Sequence, residues 1–315
     1  VEWGPRLVFE LLKFISASTF IERMNKHKAI LAFAIALLSL IYRTGFCAES
    51  IGLVEKKDSG TIDWARGVVQ ARGISAPIKK GAEKTPSNSP KALSEAKNDA
   101  RIKLLETVKK IKIDTKRSVD DMVGNNKTIM TQIKDMVYDA NEIEKFRKYM
   151  SDGSIEVLLQ MNLHGGFAQL ILPKEIRQIE GIKQIKRGAN STGVNTDSVS
   201  KAYTGLLVDA RSFELQPALV FKILDENLEE VFGPAFVSRE FVVQQGMAAY
   251  YTDIESAKSD PRIRNRPLTV KALRTDYPSR CNIVISNADA SKLKSASHHL
   301  LFLKESRVVI LLSSQ

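Results

Sequence analysis

Asp209 and Arg211 stand two residues apart in the run "TGLLVDARSF", at the end of an apolar strand pattern. In a site, they would supply a carboxylate and its charged partner. As structure, they would stabilise a turn, since paired charges at element ends are common and contribute little. The histidines are His27, His164, His298 and His299. His164 sits beside Gly165-Gly166 at a strand end. His298 and His299 are adjacent, and neighbours in sequence share neither a helix face nor a strand face, which makes them a poor metal pair. Cys47 and Cys281 are too few for a disulfide framework, and Cys281 reads as a small buried strand residue. Trp64 has the ring to stack on a ligand, yet a tryptophan in a strand is more often a core anchor. No nucleophile elbow, phosphate loop or Cys/His pair has the local context it needs. The expected inventory is no catalytic residues, no cofactor-binding residues, no metal ligands and no cofactor.

The segment around Met24 bears on where the chain works. Lys26 and Lys28 precede an uncharged apolar run from Ala29 to Ile41, and Gly45, Cys47 and Ala48 offer small residues to a peptidase. That is the pattern of a secretory signal peptide over 24–48, with a retained N-terminal anchor as the alternative. A signal ordinarily opens a chain, so residues 1–23 are expected to reflect a start codon placed too early. Phe46 argues against lipidation of Cys47, because a lipoprotein signal wants a small residue there. Removing residues 1–48, with six basic and three acidic residues, lowers the formal charge from +11 to +8. Export makes nucleic acid an unfitting partner. The scattered cations read as a solvated surface, or as affinity for acidic envelope polymers or anionic headgroups.

The remaining chain of ordinary globular composition divides in two. Over 49–173, "GTIDWARGVVQARG" alternates as one strand after a turn at "DSG", with Ala65, Val69 and Ala71 forming a small-residue face suited to close helix packing. A polar loop over 79–90 follows. Ala92, Ala96, Ala100, Leu104, Val108 and Ile111 form the stripe of a helix that begins at Pro90. A second helical pattern runs from Ser118 to Val137, interrupted at Gly124-Asn125-Asn126. After the Asp152-Gly153 turn, Ile155, Val157, Leu159, Met161 and Leu163 alternate with mainly polar residues as a strand. "GGFAQLILP" reads as one more short strand. Residues 174–200 lose periodicity and read as a linker. Over 201–315 the pattern gives a strand at "YTGLLVDA", a hairpin around Asp225-Glu226-Asn227, a short helix stopped by Pro261, strands at "LTVKALR" and "CNIVIS", a helix capped by Asn287, and a closing strand at "RVVILL". The expected fold class is α+β, with helices packed on a small antiparallel sheet followed by a second α+β domain.

Three stretches together, "GTIDWARGVVQARG", "ALSEAKNDARIKLLETVKKIKID" and "YMSDGSIEVLLQMNLHG", resemble the N-terminal domain of flagellar assembly protein T and the related Lpp-twenty envelope lipoproteins. The resemblance covers about residues 60–166. It implies a compact exported domain without catalysis, with protein partners in the cell envelope, outer-membrane association, and a place in a machine such as a flagellar basal body. The expected location is periplasmic or outer-membrane-associated. The expected function is a non-enzymatic envelope protein that assembles with or stabilises a larger machine. The alternative is a ligand-binding or hydrolytic enzyme with a site near Asp209 and Arg211.

Overall fold

A computed structural model describes residues 52–77, 90–124, 126–178, 203–295 and 297–313. The signal segment with His27 and Cys47, the polar loop up to residue 89, and the linker beyond Gln178 lie outside the described residues. Ser50–Gln315 forms one compact unit. Its fold is α+β, built on two sheets.

The first sheet is wholly antiparallel. Its strands are β1 (Val54–Lys57), β2 (Gly60–Asp63), β3 (Val68–Ile74), β4 (Asn141–Glu142), β5 (Lys148–Tyr149) and β6 (Ile155–Asn162), in the order β1-β2-β3-β6-β4 with β5 also on β6. The single strand expected over 61–73 is in fact a hairpin. Asp63 Oδ1 accepts from the backbone N–H of Ala65 (3.1 Å) and Arg66 (2.9 Å), and Gly67 closes the turn at φ 63°. The turn carries Trp64 inward, where it is 6 % exposed, stacks edge-on against Tyr250 at 5.7 Å and donates to Glu55. Trp64 is a core anchor.

Helix α1 (Pro90–Lys109) lies across this sheet with Ala96, Ala100, Leu104 and Val108 fully buried. The approach is closest at Gly73, where an added Cβ would lie 2.1 Å from the Ala96 carbonyl oxygen. Val69 and Ala71 of the expected small face lie here with Gly73 beside them, whereas Ala65, expected on the same face, belongs to the turn. The second helical pattern breaks where the sequence says it should. Helix α2 (Val119–Gly124) stops, and Asn126 caps α3 (Lys127–Tyr138) by accepting from the backbone of Thr128 and Ile129, both at 3.1 Å. "GGFAQLILP" is not a strand. It forms helix α4 (Gly166–Ile171), whose Phe167, Ala168 and Ile171 are buried. Its apolar run is too short for periodicity to separate the two states.

The second sheet holds β7 (Leu206–Asp209), β8 (Ile223–Leu224), β9 (Glu230–Phe232), β10 (Ala249–Tyr251), β11 (Leu268–Thr275), β12 (Ile283–Ile285) and β13 (Val308–Leu311), in the order β10-β13-β7-β11-β12-β8-β9. It is mixed: β7, β10, β11 and β13 run parallel to their neighbours in that group, while β11/β12 and β8/β9 are antiparallel. Helices α5 (Arg239–Gln245), α6 (Ile254–Lys258), α7 (Asn287–Lys294) and α8 (Ser297–Lys304) accompany it. The cap of α7 is Ser286 rather than Asn287, with Ser286 Oγ accepting from Asp289 N at 3.1 Å. His298 and His299 both belong to α8.

One continuous apolar core joins the two sheets. It runs from Ala100 and Leu159 through Phe221 and Phe232 to Val208 and Ile310. The backbone crosses the seam repeatedly: Leu53 N–H donates to Tyr250 O (2.9 Å), Val220 N–H to Ile113 O (2.8 Å) and Gly165 N–H to Val243 O (2.8 Å). Arg239 ties the halves by its side chain. Its guanidinium donates to the carbonyl of Gln169 (2.9 Å), in the last turn of α4, and to that of Pro173 (2.9 Å) just beyond it. Residues 174–178 belong to this packing rather than to a linker, since Ile176 is 1 % exposed and Arg177 O accepts from Arg239 N–H. Among the described residues no helix is long and apolar enough to cross a membrane.

Candidate functional site

The structure brings Asp209 and Arg211 together as an ion pair, with Lys271 of the neighbouring strand opposite Asp209. Arg211 donates from Nη2 to Asp209 Oδ2 (2.7 Å) and from Nε to Oδ1 (2.9 Å). The Arg211 hydrogen bond holds the Asp209 carboxyl below the usual carboxylate range. Both side chains reach solvent, and neither lines the three cavities described here. Cys281 is 1 % exposed and burial pushes its thiol pKa up, away from reactivity. His299 is buried beside Tyr203 and Phe302, with Nδ1 2.9 Å from Lys292 O. Among the described residues no three His, Cys, Asp or Glu side chains are placed to hold a metal ion.

The largest described cavity is a groove of about 550 Å³ on the seam. One wall is the loop after α1. There Asp114 accepts from the backbone of Lys116 (2.8 Å) and Arg117 (2.9 Å) and from Arg117 Nη2 (2.7 Å). Burial raises the Asp114 pKa, but these hydrogen bonds outweigh it and hold the carboxyl below the usual range. The opposite wall comes from the β8/β9 hairpin, with Lys222 Nζ 2.6 Å from Glu230 Oε2. Pro173, Phe221, Pro234 and Ala235 contribute apolar surface. Phe221 is fixed by ring contacts to Phe232 (5.8 Å) and Tyr250 (6.2 Å). Four of the charged groups in the groove are therefore held in two ion pairs. Lys116 and Glu175 stand at the rim without an ion pair among the described residues. An apolar floor with a charged rim is how recognition surfaces are built. Sequence reasoning missed this groove because its walls are about a hundred residues apart. The local signal is Asp114 three residues before Arg117.

A second, small cavity of about 30 Å³ lies deeper in the seam, between Trp64, Gly67, His164, Gly246 and Tyr250. His164 fits there because two glycines make room, an added Cβ at Gly67 lying 2.2 Å from its ring and one at Gly246 3.3 Å away. Arg262 runs nearby, donating to Gln245 O from Nη2 while its buried Nη1 has no hydrogen-bond partner among the described residues. Tyr251 OH donates to the buried Asp260 carboxylate at 2.9 Å. A third cavity, of about 450 Å³, separates α3 from α4.

Burial, and then the Arg262 charge, push the His164 pKa down from 6.5 to about 4. Between those values the unfolded chain binds a proton that the folded chain refuses, so this group makes stability fall as pH drops through that window. Acidification from neutral to about pH 4 is expected to cost on the order of 2 kcal/mol through His164 alone. Urea unfolding of the parent and His164→Gln at both pH values measures it. The variant should lose correspondingly less, and equal losses would show that His164 is not the group responsible.

A third of the chain has a recognisable relative. Residues 205–314 match the family model described as Treponema pallidum Tp0624, second domain. The match spans the whole seven-stranded sheet, from just before β7 to beyond β13, and leaves the first sheet uncovered. No curated protein matches the chain.

Proposed function

We propose that this chain is a non-catalytic, exported envelope protein that assembles with or stabilises a larger cell-envelope machine. The flagellar basal body is the machine to which the resemblance of residues 60–166 points. The observation that carries the reading is the seam groove: walls from both sheets, an apolar floor, and four of its charges engaged with one another in two ion pairs. The groove takes a segment of a protein partner, and the periplasm or the outer-membrane surface is where the chain would meet it. The same description favours two structural halves with one role, because the groove needs walls from both. A hydrolytic or ligand-binding site near Asp209 and Arg211 is the alternative, and their mutual, solvent-facing ion pair lends it no support.

The test fills the groove. Ala235 is exposed at its wall, so a tryptophan there occupies the space without disturbing the core. Ala235→Trp should keep the parental melting temperature and lose co-purification with the envelope assembly. A variant that still co-purifies at parental yield would remove the groove from the proposal.

A further inference from the structure

The tip of the β11–β12 hairpin carries an aromatic ring that the fold does not use. Tyr277 is 86 % exposed, and Leu273, on the same hairpin, is 44 % exposed. Pro278 and Arg274 are exposed beside them. The tip is nevertheless rigidly built. Asp276 accepts from Asn282 N–H (2.8 Å), from Asn282 Nδ2 (3.2 Å) and from Ser279 Oγ, and Arg280 N–H donates to Asp276 O at 2.9 Å. Arg280 adopts φ 54°, a left-handed conformation that a non-glycine residue holds only when its surroundings fix it. Its guanidinium pairs with Glu214. A large ring held in solvent on a fixed loop carries little backbone ordering cost when it binds.

The chemistry of the tip selects the occupant. The two acidic groups nearby are spoken for, Asp276 by the turn and Glu214 by Arg280, while Arg274 has no ion pair among the described residues. The outward-facing set is therefore a tyrosine, a leucine, a proline and a cation. Tyr277 lines none of the three cavities, so a protein partner would have to bring the whole pocket. A lipid interface takes such a ring without one, seating it at headgroup level while a guanidinium meets the anionic phosphates. We propose that this hairpin tip docks the protein on an anionic lipid surface, with Tyr277 entering the interface and Arg274 contacting headgroups.

The proposal is independent of the seam groove, and its test uses the chain from Glu49 onward, which contains the whole compact unit, without the apolar 29–41 run. The probes are vesicles of phosphatidylcholine alone and of phosphatidylcholine with phosphatidylglycerol. Tyr277→Trp should shift its emission to the blue with the anionic vesicles and not with the neutral ones. Arg274→Ser should weaken partitioning about fivefold, and added salt should weaken the parent similarly. Tyr277→Ser should weaken it further at an unchanged melting temperature. No spectral shift on anionic vesicles, or parental binding by both serine variants, overturns the proposal. Tip-dependent binding to a protein component without vesicle binding overturns it too, and makes the tip a protein contact.

Discussion

Gly73→Val is expected to be among the most damaging single substitutions in the first half of the molecule. A Cβ on residue 73 would stand 2.1 Å from the Ala96 carbonyl oxygen, 2.2 Å from the Ala100 nitrogen and 2.7 Å from the Ala100 Cα. All three are backbone atoms of α1, so no rotamer change clears them. The helix would have to lift from the sheet along the stripe where Ala96, Ala100, Leu104 and Val108 are fully buried. Overpacking typically costs about 1–3 kcal/mol, and a clash with backbone atoms puts this case at the upper end, a large share of a typical domain's stability. Gly124→Ala is the control, because nothing lies within 4 Å of a Cβ there. Urea unfolding of both variants is the measurement. A parental midpoint for Gly73→Val would show that α1 does not sit on β3 as described.

Leu159→Asn is the second large effect. Leu159 is 2 % exposed in the middle of β6, opposite Ala71 of β3 and Glu142 of β4, on the face that α1 covers. The substitution removes a buried isobutyl group and puts an amide where the apolar packing has no partner for it. Lost burial and an unsatisfied polar group together cost about 4 kcal/mol. The loss should appear as a lower unfolding midpoint with an unchanged denaturant slope. An unchanged midpoint would remove the packing of β6 against the helix stripe.

These two positions also show what could be read from the chain. The alanine stripe of α1 and the alternation of β6 are long periodic patterns, and burial against each other is what produces such periods. The second face of β6 was less legible. The residues alternating with the apolar ones read as a mainly polar face, yet Glu156 and Leu158 on it are 9 % and 5 % exposed. Arg72 and Lys148 flank Glu156 at 2.6 and 3.3 Å, so charged side chains from neighbouring strands cover that face. Burial and its ion partners compete at Glu156, and the Arg72 and Lys148 hydrogen bonds prevail, holding its carboxyl below the usual range. The β2–β3 turn escaped notice because Trp64-Ala65-Arg66 carries no turn chemistry, and only Asp63 and Gly67 at its borders do.

Long-range arrangement was the least legible. Strands β7, β11 and β12 stand out as apolar runs, but their order in the sheet is set by packing between distant segments. Arg239 and Arg262 look like surface cations in the sequence. One bridges to the end of α4 seventy residues earlier, and the other is drawn into the seam beside His164. Neither role leaves a local trace. Asp209 and Arg211 are the opposite case: two residues apart in the sequence, they form the ion pair that their spacing suggests.

The assembly proposal makes its most direct demand on the native chain in its own cells. Extracted from the envelope with mild detergent and sized without denaturation, the chain should travel in a particle larger than a monomer and begin near Ala48 or Glu49. A monomer recovered from the cytosol with residues 24–48 still attached would contradict export and assembly together.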